Sequence, residues 1–262
     1  MDLELKGRNV LITGGSKGIG LACARAFARE GANVAIASRS RDNLDRAVAA
    51  LKAEGHTVRA FACDLVARES AATLVADVEN AMGPIDVLVN SAGAARRYSP
   101  ENLDVAAWHD AMDAKYFTYV HAMTAVLAGM TTRQRGVIVN IVGQGGKVAG
   151  PFHIPGGSAN AALMLVSAGM ANAFGAKGIR VNAINPGLTL TDRVQEGVKV
   201  EAARDGLAED EVLRRSKARI PLGRLARPDE VADVAVFLAS ARASYVTGAV
   251  IPMDGAAVAT VV

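Results

Sequence analysis

Short apolar runs that stop at glycine or a small polar residue alternate along the chain with longer stretches whose apolar positions recur at helical spacing. Val10 to Ile12, Val34 to Ser38, Val58 to Cys63, Ile85 to Asn90, Gly136 to Val142, Arg180 to Ile184 and Val250 to Met253 have the length and branching of strands. Between them, Leu21 to Arg29, Arg41 to Glu54, Arg68 to Met82, Leu103 to Met130 and Gly157 to Ala176 read as helices. Strands that are apolar on both faces must be covered on both faces. The pattern therefore predicts an α/β chain built as a doubly wound parallel sheet with helices on either side. No linker, repeat or low-complexity tract interrupts it, so residues 1–262 read as a single domain.

In such a sheet a ligand lies beyond the carboxyl ends of the strands. Those ends carry Thr13-Gly14, Ser38-Arg39, Asp64-Leu65, Asn90-Ser91-Ala92-Gly93, Val142-Gly143 and Asn185-Pro186-Gly187. Ordinary turn chemistry explains any one of these; six together read as the lining of a cleft. The first is the richest. Residues 13–20 read T-G-G-S-K-G-I-G, and a strand, a glycine turn and a helix in that order let a pyrophosphate rest on the free N–H groups of the helix start.

Composition narrows the functional class. Apolar residues make up 51% of the 262 positions, enough for a large core, and the net charge is +3, from 29 basic and 26 acidic residues. No basic run is dense enough for nucleic acid. The charged segment Met1 to Arg8 runs straight into the first strand and does not read as a signal peptide. No apolar stretch is read as long enough to span a bilayer. Cys23 and Cys63 stand alone and read as buried thiols rather than as a disulfide or metal pair. A soluble cytoplasmic protein without a metal is the expectation.

Together the segments resemble the short-chain dehydrogenase/reductase family over essentially the whole chain. The resemblance rests on T-G-G-S-K-G-I-G at 13–20, N-S-A-G at 90–93, and R-V-N-A-I-N-P-G at 180–187 with Thr191. It continues through G-R-L-A-R-P-D-E-V-A-D-V-A-V-F-L-A-S at 223–240, Tyr245 to Gly248 and Asp254-Gly255. It implies a Rossmann-type fold and a nicotinamide cofactor held by Gly14, Ser16, Lys17, Gly18, Ile19, Gly20, Ser38, Arg39, Asp64, Leu65, Asn90, Ala92, Gly93, Pro186, Gly187 and Thr191. Asp64 would hold the adenine edge, or cap a helix, and Thr191 the carboxamide. Ser38 stands where an acid would accept the ribose hydroxyls of NAD. With Lys17 and Arg39 beside it, the position suits a 2′-phosphate, so NADP(H) is the expected cofactor.

The resemblance also implies a proton-donating Tyr, a Lys four residues later, a Ser about a dozen residues earlier and an Asn on the preceding helix. Aligned through I-V-N-I at 138–141, these seats fall on Gly156, Asn160, Gly143 and Lys115. None holds the expected residue, and no Tyr occurs between Tyr119 and Tyr245. Lys115 and Asn160 read as an exchange of ammonium and amide between neighbouring seats, or Lys115 as a side chain that snorkels from a dead pocket. His153 is a second candidate for proton transfer, and Tyr119, one turn from Lys115, is its partner or simple packing. His56, His109 and His121 read as loop, surface or interface residues.

Two functions follow as expectations. One is an NADP(H)-dependent oxidoreductase acting on a small carbonyl or alcohol substrate with an unorthodox proton donor. The other is a non-catalytic NADP(H)-binding sensor or partner subunit; a non-redox reaction in a pocket widened by Gly145-Gly146 and Gly156-Gly157 is a third possibility. The helix 157–176, apolar nearly all round, predicts a subunit interface, and the resemblance implies that it and 103–130 build a homodimer or homotetramer. Residues 192–220, charged and helical, fall by the same resemblance where a lid closes over the cleft, or form an exposed helix pair without gating, and Arg193 there is a candidate for meeting an acidic substrate.

Overall fold

The computed structural model describes residues 2–93 and 96–259. Seven strands, β1 (Asn9–Thr13), β2 (Asn33–Ser38), β3 (Val58–Ala62), β4 (Val87–Asn90), β5 (Gly136–Ile141), β6 (Ile179–Pro186) and β7 (Val250–Met253), form one parallel sheet. Their order is β3-β2-β1-β4-β5-β6-β7. The chain winds outward from β1 to β3 and then returns to the other side of β1, so β1 and β4 flank the switch point where a cleft opens.

Alternation along each strand divides the core into two layers. Val10 and Ile12 of β1 face α1 (Gly18–Arg29), α2 (Arg41–Ala53) and, later in the chain, α9 (Pro228–Ala239), through Phe27, Leu44, Leu51 and Val231. Leu11 between them faces the other layer, where α3 (Arg68–Met82), α5 (Thr118–Arg133) and α6 (Ile154–Phe174) contribute Leu74, Val78, Met123, Met130 and Leu163. The single-domain α/β architecture of the Rossmann type is as the hydrophobic pattern requires.

Three local differences from the sequence reading bear on the site. First, the stretch 103–130 is not one helix. It is α4 (Val105–Ala111), a π-helical turn at Met112–Phe117, and then α5. The widened turn re-aims the helix where Gly93 (φ +96°) packs on it; a side chain at Gly93 would run into Ala114 O. Second, α6 begins at Ile154 rather than Gly157, with Pro155 in its first turn, where a missing N–H leaves no bond unmade. Third, residues 154–177 are long and apolar enough, by length and composition alone, to cross a membrane, contrary to the sequence reading. In the folded chain this helix packs one face on the sheet through Leu163, Ser167 and Ala171, and leaves Leu165 77% exposed on the other.

Residues 192–220 contain α7 (Asp192–Asp205) and α8 (Glu209–Ala218), which share a small core of Val198, Ala202 and Val212 outside the two main layers. Cys23 and Cys63 are free thiols, and burial pushes the Cys23 thiol up to about 12.

Candidate functional site

The cleft starts with the turn after β1. Gly14 has φ +68°, and a Cβ there would sit 2.7 Å from the Ala92 amide nitrogen; one on Gly20 would run into Gly14 O. The loops after β1 and β4 therefore touch backbone to backbone. Thr13 stitches them: its hydroxyl accepts from the amides of Ser91 (3.2 Å) and Ala92 (3.3 Å) and donates to Asn90 Oδ1 (3.2 Å). Lys17, extended at the N-cap of α1, makes no side-chain cap bond, so the first amides of that helix face the cleft without a side-chain acceptor. Ile19 follows in its first turn.

At the end of β2, Ser16 Oγ donates to Ser38 Oγ at 3.0 Å, next to the exposed Arg39. Asp64 corrects one alternative from the sequence. It accepts from Val66 N (3.2 Å) and turns the chain, whereas the N-cap of α3 is Ala67. Leu65 is buried, and its carbonyl meets His121 Nδ1 at 3.0 Å, so this histidine braces the loop. On the far side, Asn185 Nδ2 donates to Val142 O (2.7 Å), Pro186 ends β6, and Gly187 lies close against Asp254. Thr191 brings the start of α7 over Gly18; a Cβ on Gly18 would lie 3.4 Å from its methyl.

The floor is polar. Asn90 Nδ2 donates to Asn140 Oδ1 (2.9 Å), Asn140 Nδ2 to Ser167 Oγ (2.9 Å), and Ser167 Oγ to Leu163 O (2.7 Å). With Thr13, this chain of buried side chains joins β1, β4, β5 and α6. The sequence reading missed Asn140 and Ser167 because a lone polar residue in an apolar run carries no sign of what it will meet.

Lys115, in the π turn, is 9% exposed. Its Nζ donates to Tyr119 Oη (2.6 Å) and Ile141 O (3.1 Å) and lies 4.1 Å from the Tyr119 ring centre. Tyr119 Oη donates to the same carbonyl at 2.6 Å. Burial, reinforced by the positive field of Arg193, lowers Lys115 from 10.5 to about 7. Burial raises Tyr119. Tyr119 is thus the lysine's partner, and the i, i+4 spacing was the signal for it.

Beyond β5 the wall is glycine. A Cβ on Gly143 would sit 3.3 Å from Asn160 Nδ2, and one on Gly145 3.0 Å from His153 Cδ2. Gly156 and Asn160 are buried in the first turns of α6. Asn160 Oδ1 and His153 Nδ1 are buried without a hydrogen-bond partner among the described residues. Burial lowers the His153 pKa, as do Arg193, Arg97 and Lys115, so its imidazole favours the neutral form. The structure thus gathers Lys115, Gly143, His153 and Asn160 at one end of the cleft, and Ser16, Lys17, Ser38 and Arg39 at the other. No group of three metal-ligating side chains occurs among the described residues.

A family model described as enoyl-(acyl carrier protein) reductase matches residues 14–256. Gluconate 5-dehydrogenase of Gluconobacter oxydans is 34% identical over 252 residues, covering 96% of this chain and 95% of that protein. L-sorbose reductase of Gluconobacter frateurii, solved with NADPH and L-sorbose, superposes with a TM-score of 0.93 at 31% identity over 100% of both chains. An actinorhodin polyketide ketoreductase solved with NADPH gives 0.91 at 29% identity, over 95% and 96%. The chain belongs to the short-chain dehydrogenase/reductase family.

In the short-chain dehydrogenase/reductase frame the glycine turn and the Asn90 loop meet at the switch point between β1 and β4, and Pro186-Gly187 closes the same edge of the sheet at the end of β6. Beyond β5 the same cleft is bordered by Gly143 and Gly156, with Lys115 and Asn160 near them.

Proposed function

We propose that the protein is an NADP(H)-dependent oxidoreductase that interconverts a carbonyl compound and its alcohol, with Lys115 as proton donor. The donor set supports the cofactor: a glycine cradle that a Cβ would fill, uncapped amides at the start of α1, and Ser16, Lys17, Ser38 and Arg39 without an acid among them. These residues would hold the dinucleotide and its 2′-phosphate, with Thr191 at the nicotinamide end. When bound, the cofactor supplies a hydride for the carbonyl carbon.

The observation that carries the catalytic part is the buried ammonium of Lys115. Two of its N–H groups are taken by Tyr119 Oη and Ile141 O, and the third has no partner among the described residues. That third proton goes to the substrate oxygen as the carbonyl π bond breaks toward it. The products are one alcohol and a neutral amine, which solvent reprotonates. A pKa near 7 fits this duty, since a general acid works best close to the ambient pH. Tyr119 positions the ammonium. His153, neutral and facing Gly145, orients substrate through a hydrogen bond, and Asn160 Oδ1 offers an acceptor for a substrate hydroxyl.

The glycines at 143 and 156 favour a second reading, an NADP(H)-binding subunit without turnover, because neither offers a donor to a developing oxyanion. One experiment separates them: NADPH binding by fluorescence, followed by single-turnover oxidation against a panel of ketones between pH 5.5 and 9. Catalysis by Lys115 gives a rate that falls as pH rises through about 7 and is lost, by roughly 10²–10⁴-fold, in Lys115→Met. Tight binding with no oxidation of any ketone selects the second reading.

The same proposal includes a homodimer or homotetramer built on α5 and α6, supported by the open apolar face that carries Leu165. Light scattering that finds a monomer at micromolar concentration opposes it. It also includes closure by α7 and α8, supported by Arg204 of α7, which lies 5.1 Å above the Phe152 ring in the loop that leads to His153.

A further inference from the structure

We infer that His121 is a positioning residue for the cofactor: it holds the loop after β3 against which the adenosine half of the dinucleotide rests. This role rests on the NADP(H) reading for the ligand, and on the loop's own contacts for everything else.

The first observation is where the loop lies. A 2′-phosphate held by Ser16, Lys17, Ser38 and Arg39 places the adenine close by, because phosphate and base sit on neighbouring carbons of one ribose. On one side of Ser38 is the glycine turn after β1, which takes the pyrophosphate. On the other is the end of β3, the edge strand. Cys63 N donates to Ser38 O at 3.0 Å, so Asp64, Leu65 and Val66 leave the sheet directly beside Ser38.

The second is how one peptide of that loop is held. The helix that follows starts only at Arg68, and its N-cap, Ala67, makes no side-chain bond. Between strand and helix, the peptide unit joining Leu65 to Val66 is gripped at both poles. Its N–H donates to Asp64 Oδ1 at 3.2 Å, and its carbonyl oxygen lies 3.0 Å from His121 Nδ1. A carbonyl oxygen can only accept, so Nδ1 carries the proton. The Asp64 bond is local and turns the chain. The His121 bond arrives from 56 positions away and fixes the turned peptide to the body of the protein. Leu65 is 5% exposed, so removing the imidazole leaves a carbonyl in a buried residue short of its donor.

The third is what aims the imidazole. Its ring stacks on Phe117, with centres 5.7 Å apart and planes at 28°, and Phe117 meets the edge of Tyr116 at 5.1 Å. Phe117 closes the π turn that carries Lys115. Tyr119 and His121 are two positions apart on α5, about 200° around the helix, and they reach in opposite directions. Tyr119 goes to Ile141 O at the end of β5 and His121 to Leu65 O after β3, with β2, β1 and β4 between those strands. One helix thus braces the cleft at its chemical end and at its adenosine end.

The test uses the full-length protein as wild type, His121→Phe and His121→Asn. Phenylalanine keeps a flat ring beside Phe117 and removes the donor; asparagine returns an N–H to the place of Nδ1. The measurements are nitrogen NMR shifts of the His121 ring, amide exchange over residues 63–67 of the apo protein, and the affinities of NADPH and of 2′,5′-ADP, its phosphorylated adenosine fragment. In the wild type the neutral ring should be the Nδ1–H tautomer. His121→Phe should speed exchange over 63–67 about 10-fold and weaken both ligands by the same factor, about 10-fold, since the loss lies in the half they share. His121→Asn should recover most of it. An Nε2–H ring, a His121→Phe protein with exchange and both affinities unchanged, or a His121→Asn protein no better than His121→Phe overturns the inference. The tautomer is read on the wild type and decides even where a variant does not fold. Wild type that binds neither ligand refutes the cofactor reading and this role with it. Tight wild-type binding that His121→Phe does not weaken refutes this role alone.

Discussion

A lysine buried at neutral pH should destabilise the fold, and Lys115→Met measures by how much. Methionine keeps the length and packing of the stem and removes the ammonium. The displacement of Lys115 from 10.5 to about 7 corresponds to about 5 kcal/mol, at about 1.4 kcal/mol for each factor of ten. The folded-state pKa lies below the unfolded one, so between about pH 7 and pH 10.5 the unfolded chain binds more protons than the folded chain. The wild type therefore gains stability as pH rises through that window, and carries the full penalty below it. Methionine forfeits the hydrogen bonds to Tyr119 Oη and Ile141 O, worth about 1 kcal/mol each, while Tyr119 keeps its own bond to Ile141 O. Lys115→Met should thus be more stable than wild type by about 3 kcal/mol at pH 6, and less stable by about 1–2 kcal/mol at pH 10.5. Urea unfolding of the apo protein at fixed concentration, repeated from pH 6 to 10.5, reads this directly. A difference that is constant with pH, or a variant less stable at pH 6, would refute the buried, displaced ammonium and with it the acid proposed for catalysis. A stabilising substitution that abolishes turnover is the expected signature of a residue retained for chemistry.

Three other outcomes follow from the same geometry. Gly20→Ala should weaken NADPH binding by about 100-fold or more, since Gly14 O occupies the space its Cβ needs; Gly150→Ala, with open space at its Cβ, should leave it unchanged in the same fluorescence titration. Ser38→Asp should lower NADPH affinity by about 10–100-fold and raise NADH affinity, and a retained NADPH preference would show that the phosphate is not held at Ser38. Arg180 donates to four carbonyls, those of Leu238, Ala239 and Ser240 at the end of α9 and that of Val246, so Arg180→Met should destabilise by about 3–5 kcal/mol in urea melts at pH 7, with Arg180→Lys recovering part of the loss.

The fold was legible in the sequence because its signals are local. Apolar runs of strand length, the glycine stops and the alternation with amphipathic helices each depend on neighbouring residues, and a parallel sheet follows from strands that are apolar on both faces. The positions of Gly14, Gly20 and Gly93 were legible for the same reason: backbone approach demands glycine wherever it occurs. The pattern could not foretell the π turn at Met112–Phe117, since the residues there suit an ordinary helix and only the packing of Gly93 on Ala114 and Lys115 marks the place. Nor could it foretell that the long apolar helix 154–174 would bury one face and leave the other open.

Composition and order alone thus determined the class of fold, the end of the sheet where the cleft opens and the residue types available there. Tertiary structure decided which of those residues meet. Lys115 reaches Ile141 O across 26 positions, Asn140 reaches Ser167 across 27, and Thr13 reaches Asn90 across 77. It also decided the character of Lys115, because a pKa is set by burial and by charges such as Arg193 that are distant in the chain and near in space. Desolvation and long-range contact are properties of a closed fold, and no window along the sequence contains them.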